Sequence, residues 1–204
     1  MAISLGVDAI EPDIVATRDG VLVLRHENEI SGTTDVANRP EFADRRTTKT
    51  IDGRVVTGWF TEDCTLAELR TLRAVERLPD VRPDNTRYDG RFQVPTFDEV
   101  LDLVRTESKR LGRTIGVYPE TKHPSYFDGI GLSMEEPLVR TLRRNGLDHP
   151  KAAVFVQSFE VSNLQELSRE LKVPIVQLTS ASGRPSTSRR QAGASSRRAT
   201  RLPG

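Results

Sequence analysis

The sequence predicts an α/β protein in which helices cover a parallel sheet. Two observations carry that reading. Short apolar strands at 115–118, 153–157 and 174–178 each have a stretch of helical periodicity on at least one side. The chain also has 204 residues, 36% hydrophobic and 29% charged, which suits an ordinary soluble domain large enough to bury a sizeable core. An open doubly wound sheet and a (βα)8 barrel both fit the alternation.

The elements follow in order. Residues 9–17 alternate Ile10 and Ile14 with polar positions, and Asp19-Gly20 then leads into Val21-Leu22-Val23-Leu24, which reads as strand, tight turn and strand. Residues 31–62 are polar, rich in Thr and Arg and without sustained periodicity. They read as a long loop, of a length uncommon unless it works as a lid or substrate wall. Thr65-Leu-Ala-Glu68 and Thr96-Phe-Asp-Glu99 are capping boxes that predict helices over 66–75 and 97–111. Leu66, Leu69 and Leu72 form one apolar stripe and Val100, Leu101, Val104 and Leu111 another, with Gly112 as the left-handed stop. Ser133-Met-Glu-Glu136 predicts the cap of a third helix ending at Asn145-Gly146, and 161–171 has the period of a fourth.

Composition excludes several classes. No window approaches the roughly 18 consecutive apolar residues of a spanning helix, and the first residues show no secretion signal. A single cysteine, Cys64, excludes an internal disulfide framework and a multi-cysteine zinc site, and is expected as a half-buried, inert thiol. The net charge of +1 sums two unlike parts: residues 180–204 hold six arginines and no acid, lysine or aromatic, which leaves 24 basic against 29 acidic residues in 1–179. Ser/Gly/Arg composition without aromatics predicts a disordered tail, not a nucleic-acid partner. The expected domain is therefore 1–179 and the tail 180–204.

Candidate chemistry begins with Glu11 and Asp13, two apart on the first strand, so both carboxylates face one side. Like charges side by side disfavour ionisation unless a cation compensates. Glu120 and Lys122 repeat the spacing at the end of the strand that starts at Ile115. In one parallel sheet the C-terminal strand ends lie together, where α/β proteins bind ligands. Three carboxylates without clustered Cys or His suit Ca²⁺ or Mg²⁺ better than zinc, and a lysine beside them suits a phosphate oxygen. His26 follows the second apolar run at the same mouth and is a candidate general acid or base. His123, next to Lys122, is assigned a supporting or substrate-contacting role, and His149, in a turn, a surface position. No G-x-S-x-G, H-E-x-x-H, Walker loop or complete dinucleotide fingerprint occurs.

Taken in sequence, these motifs resemble the glycerophosphodiester phosphodiesterases, a (βα)8-barrel family. Ile10-Glu11-Pro12-Asp13, Thr17-Arg18-Asp19-Gly20 and the run from Val21 into His26 look like its strand, turn and strand; Glu120-Thr121-Lys122 looks like its Glu-x-Lys, and Gln157-Ser158-Phe159 like its Gln-Ser-Phe strand end. The segment at Thr33-Thr34-Asp35-Val36 resembles the insertion of the longer, periplasmic-type subgroup. The resemblance implies that Glu11, Asp13 and Glu120 hold a divalent cation, Ca²⁺ or Mg²⁺. It makes Lys122 a phosphate contact and His26 one of two catalytic histidines, with His123 and Gln157 beside the site. The implied reaction hydrolyses a glycerophosphodiester to glycerol 3-phosphate and an alcohol, and the subgroup implies a periplasmic or extracellular location.

The family's His-Arg-Gly strand has no counterpart before residue 1, nor its last three βα units after Leu178. The expectation is thus a partial TIM-type barrel, about strands 2–5, with open sheet edges available for self-association. The alternative to an active phosphodiesterase is a catalytically dead metal-binding fragment or interaction remnant.

Overall fold

A five-stranded sheet forms the centre of the computed structural model, which describes residues 2–181. After a 3₁₀ turn at Ala2–Leu5 the chain enters β1 (Ala9–Ile10) and β2 (Asp13–Ala16), and β3 (Leu22–Leu24) returns antiparallel beside β2. An antiparallel hairpin follows, β4 (Thr47–Ile51) and β5 (Arg54–Gly58), then α1 (Leu66–Leu69), α2 (Phe97–Leu111), β6 (Gly116–Val117) and β7 (Glu120–Thr121). The remaining elements are α3 (Pro124–Gly129), α4 (Glu135–Arg144), β8 (Val156–Ser158), α5 (Val161–Glu170) and β9 (Ile175–Gln177).

The sheet order is β3-β2-β7-β8-β9, with β2, β7, β8 and β9 parallel. These parallel neighbours run in chain order without the reversal of an open doubly wound sheet, so the arc is that of a TIM-type barrel. The β1–β6 pair extends it. Amides of Gly116, Tyr118, Glu120 and Lys122 donate in turn to the carbonyls of Asp8, Ile10, Pro12 and Ile14, a continuous ladder. The strands are nevertheless divided where Pro12 stands level with Pro119, because neither has an N–H to give.

Helix α2 matches its expected span, with the Thr96–Glu99 capping box formed and Gly112 at φ 63°. It buries Phe97, Val100, Leu101 and Val104, at about 1.5–3 kcal/mol for each large apolar side chain, while Leu111 is partly exposed. The helix expected over 66–75 is cut to one turn although its capping box forms. Its continuation is captured by the insertion: Asp35 takes the Arg73 amide on Oδ1 at 2.7 Å and gives its own amide to the Arg73 carbonyl at 2.9 Å. Helix α4 starts at Glu135 behind Met134, since the Ser133 hydroxyl is spent on Glu135 Oε2 at 2.6 Å instead of an orphan amide.

Residues 31–62 are not a loop throughout. They hold the β4–β5 hairpin, whose two turn residues Asp52 and Gly53 have φ 48° and 80°, the left-handed pair that a two-residue hairpin turn requires. Helix α3 has no capping signal in the sequence; Pro124 opens it directly after His123. Cys64 is fully buried, not half-buried, and burial pushes its thiol pKa up. No helix of the described residues is long and apolar enough to cross a membrane. The tail assigned to 180–204 lies almost wholly outside the described residues.

Candidate functional site

Strand register assembles the site. Asp13 pairs with Glu120 and Glu120 with Gln157, so three polar side chains stand abreast on adjacent parallel strands, with Glu11 two residues earlier on the same face as Asp13. One carboxylate oxygen from each of Glu11, Asp13 and Glu120 lies within 4.8 Å of the others. Lys122 Nζ sits 3.0 Å from Glu120 Oε1 and 3.8 Å from Asp13 Oδ1. Gln157 Nε2 donates to Glu11 Oε1 at 2.8 Å and reaches the Tyr118 carbonyl at 3.4 Å, an acceptor that faces Pro12 and its missing N–H.

Burial and crowding set the electrostatics. The Glu11 carboxyl is held above its ordinary pKa by burial and then by the charges of Asp13 and Glu120, with the Gln157 hydrogen bond pulling the other way. Glu120 is likewise raised, chiefly by burial, against the opposing pull of Lys122. One ammonium cannot balance three carboxylates. A cluster of hard oxygen donors with uncompensated negative charge fits a divalent cation of the Ca²⁺ or Mg²⁺ kind.

The histidines form a second assembly above the strand ends. His26 Nδ1 lies 2.9 Å from Glu27 Oε1, and the other Glu27 oxygen lies 2.8 Å from His123 Nε2. His123 Nδ1 in turn lies 2.6 Å from Asp52 Oδ2 at the tip of the β4–β5 hairpin. Two facing carboxylates outweigh burial and raise the His123 pKa to about 9. His123, in contact with both, lowers that of Glu27 to about 2. The His149 ring accepts from the neighbouring Lys151 amide and the residue is exposed, as its turn position implies.

Of the residues singled out in the sequence, Glu11, Asp13, Glu120, Lys122 and Gln157 meet directly, while His26 and His123 meet through Glu27. Glu27, Asp52 and Arg25 were not singled out. The Arg25 amide donates to the Asp13 carbonyl at 3.1 Å, which places Arg25 opposite Asp13 in the β2–β3 ladder. Its Nε and Nη2 are buried without a partner among the described residues, and burial lowers its pKa to about 10. The alternation that pairs Val15 with Val23 would have found Arg25. Asp52-Gly53 is a hairpin signal in its own right.

A buried anchor fixes the insertion nearby. Glu62 Oε1 accepts from Lys49 Nζ at 3.0 Å, Asn28 Nδ2 at 3.0 Å and the Tyr126 hydroxyl at 2.7 Å, joining β4, the segment after Glu27, and α3.

The family model for the glycerophosphoryl diester phosphodiesterase family matches residues 1–201. A glycerophosphodiester phosphodiesterase of Arabidopsis thaliana is 37% identical over 185 residues, covering 85% of this chain and 48% of that protein. Its counterpart from Haemophilus influenzae is 27% identical over 172 residues, 80% of this chain and 45% of that protein, so the chain spans about half the length of these curated relatives. A crystal structure of an Oleispira antarctica phosphodiesterase in complex with the product sn-glycerol-3-phosphate superposes with TM-score 0.56 at 16% identity, covering 93% of this chain and 61% of that one.

Proposed function

The chain belongs to the glycerophosphoryl diester phosphodiesterase family, and from that premise we propose that its carboxylate cluster is the cation centre of a phosphodiesterase that hydrolyses glycerophosphodiesters to glycerol 3-phosphate and an alcohol. The observation that carries the reading is the convergence of Glu11, Asp13 and Glu120 around Lys122 at the ends of adjacent parallel strands. The phosphodiesterase with bound sn-glycerol-3-phosphate, similar to this chain in fold, supports the substrate class.

In this reading Glu11, Asp13 and Glu120 would hold Ca²⁺ or Mg²⁺, which when bound supplies Lewis-acid polarisation of a phosphoryl oxygen. Lys122 meets a second phosphate oxygen with a mobile point charge. Its hold on Glu120 keeps the ammonium at the site before substrate arrives. His26 moves the proton: with Nδ1 engaged by Glu27, Nε2 is the ring atom that exchanges a proton with the water or the leaving alkoxide. Gln157 orients Glu11 by its amide.

Hydrolysis of glycerophosphocholine by the purified chain, with Ca²⁺, Mg²⁺ or chelator and detection of glycerol 3-phosphate, tests the reading. Cation-dependent release that disappears in His26→Ala and Glu120→Gln is the expected result. Cation binding without any release would instead establish the catalytically dead alternative, and release indifferent to chelator and to His26→Ala would reject the assignment of the site.

A further inference from the structure

We propose that Glu27 and His123 are positioning residues for His26, and that the β4–β5 hairpin reaches the reaction centre through them. The inference deepens the phosphodiesterase reading and rests on its assignment of His26.

The contacts form one chain, from His26 through Glu27 and His123 to Asp52, with no step longer than 2.9 Å. A carboxylate can only accept hydrogen bonds, so each ring nitrogen that faces one carries a proton. His123 faces two carboxylates and is therefore an imidazolium with both N–H groups engaged. Glu27 receives that cation on one oxygen and turns the other to His26 Nδ1. With that oxygen 2.9 Å from His26 Nδ1, the carboxylate charge favours the proton on Nδ1, and the Nδ1–H tautomer leaves the Nε2 lone pair for proton transfer.

His26 needs such a device. Its side chain is 57% exposed and stands two residues past the end of β3, so packing alone does not select a rotamer. The other members are held more firmly. His123 is 17% exposed in its side chain, sits at φ 52° between Lys122 and Pro124, and opens α3. A non-glycine residue in that backbone region costs on the order of 1–3 kcal/mol and persists where surrounding structure fixes it. Asp52 is set by the hairpin turn, and β4 is pinned through Lys49 to Glu62 and Asp63. The charged groups around the chain are Lys122 and His26 near Glu27, and Asp52 and Glu27 at His123. The net effect is that the tip of the β4–β5 hairpin fixes the orientation and tautomer of a histidine just past the end of β3.

Long-range ¹H–¹⁵N correlation spectroscopy of the histidine rings, on the full chain and at a pH where the His26 ring is neutral, reads the tautomer without requiring turnover. Wild type should show His26 as Nδ1–H, and Glu27→Gln should shift it toward the Nε2–H form that free histidine favours. His123→Gln should produce a smaller shift in the same direction. In the glycerophosphocholine assay, Glu27→Gln should lower kcat roughly 10–100-fold with KM little changed. The double variant His26→Ala/Glu27→Gln should be no slower than His26→Ala alone, which general damage to the fold would not produce. An Nε2–H tautomer in wild type, or additive losses in the double variant, overturns the inference. Hydrolysis that survives His26→Ala overturns the assignment of His26 on which the inference rests, and the two failures are read from different measurements.

Discussion

Asp13 and Glu120 are register partners on adjacent parallel strands, so their carboxylates leave the sheet at one height and on one face. Glu11 joins them within 4.8 Å, and the neutralising partner in contact among the described residues is Lys122. Folding therefore brings together charges that repel, and a cation that binds only the folded chain relieves them. At a concentration one hundred times its dissociation constant such a ligand adds about 2.7 kcal/mol. For a chain of this size that is a rise in melting temperature of roughly 5–10 °C. Thermal unfolding with Ca²⁺, with Mg²⁺ and with chelator measures it. Asp13→Asn and Glu120→Gln should lose the rise while unfolding without cation at or above the wild-type temperature; a rise retained in both variants would move the cation elsewhere.

The clasp at His123 predicts a pH dependence of stability. Its folded value of about 9 lies above the ordinary 6.5, so its contribution is complete below pH 6.5 and is lost as pH rises toward 9. Glu27, at about 2 against 4.5, contributes above pH 4.5 and loses its share as pH falls toward 2. These are two views of one interaction and count once. The contribution stays below about 3 kcal/mol, because the Glu27 side chain is 45% exposed and solvent screens the pair. Urea unfolding at pH 6 and pH 9.5 should give wild type a larger drop than His123→Gln. Equal drops in both would show that another group titrates.

Gly116 lies where β6 presses between its neighbours just before the site. A Cβ there would stand 3.2 Å from the Ala153 carbonyl oxygen and 3.2 Å from Ala9 Cβ. Ala9 belongs to β1, and the Ala153 carbonyl is held by the Val117 amide at 2.9 Å, so neither swings aside as a long side chain would. Gly116→Ala should cost about 1–3 kcal/mol, the usual range for overpacking. An unchanged urea midpoint would mean that the sheet spreads there without penalty.

Local signals in the sequence carried the fold well wherever one strand or helix decides its own ends. The Thr96–Glu99 box and Gly112 set α2 because both contacts lie within one turn of the helix they terminate. The Thr65–Glu68 box forms as well, yet α1 stops after one turn because Asp35, from the insertion, binds the Arg73 backbone. That partner is 38 residues away and leaves no periodic mark. The carboxylate site was legible because spacing of two on each strand fixes a shared face, and parallel pairing then brings the faces together. Glu27 was not, since its meaning depends on which side chains arrive from other elements, whereas the β2–β3 alternation reaches Arg25. The hairpin at 47–58 was missed for a different reason: its strands are mostly polar and exposed, so alternation of hydrophobicity is weak there even though Asp52-Gly53 is a strong turn.

The anchor at Glu62 gives a test of how the insertion is attached. Its side chain is 2% exposed and that of Lys49 is 19% exposed, so the pair is largely withdrawn from water. Lys49 also meets Asp63 Oδ1 at 2.7 Å, and Asn28 and Tyr126 supply further donors to Glu62. Removing the cation leaves a buried carboxylate with only neutral partners. Removing the carboxylate charge leaves the lysine with Asp63 and leaves Asn28 and Tyr126 with an amide oxygen to bond. Lys49→Met should therefore cost about 3 kcal/mol or more, the range for orphaning one member of a buried pair. Glu62→Gln should cost about 1–2 kcal/mol, closer to the weakening of a few hydrogen bonds. The double variant should cost less than the sum, with a coupling of about 0.5–3 kcal/mol. Urea midpoints for the four proteins decide it, and additivity would show that Lys49 and Glu62 act on separate parts of the fold. Because Asn28 follows Glu27 by one residue, Glu62→Gln should also loosen the segment that presents His26, visible as faster amide exchange at residues 26–28 and not at the Gly112 end of α2.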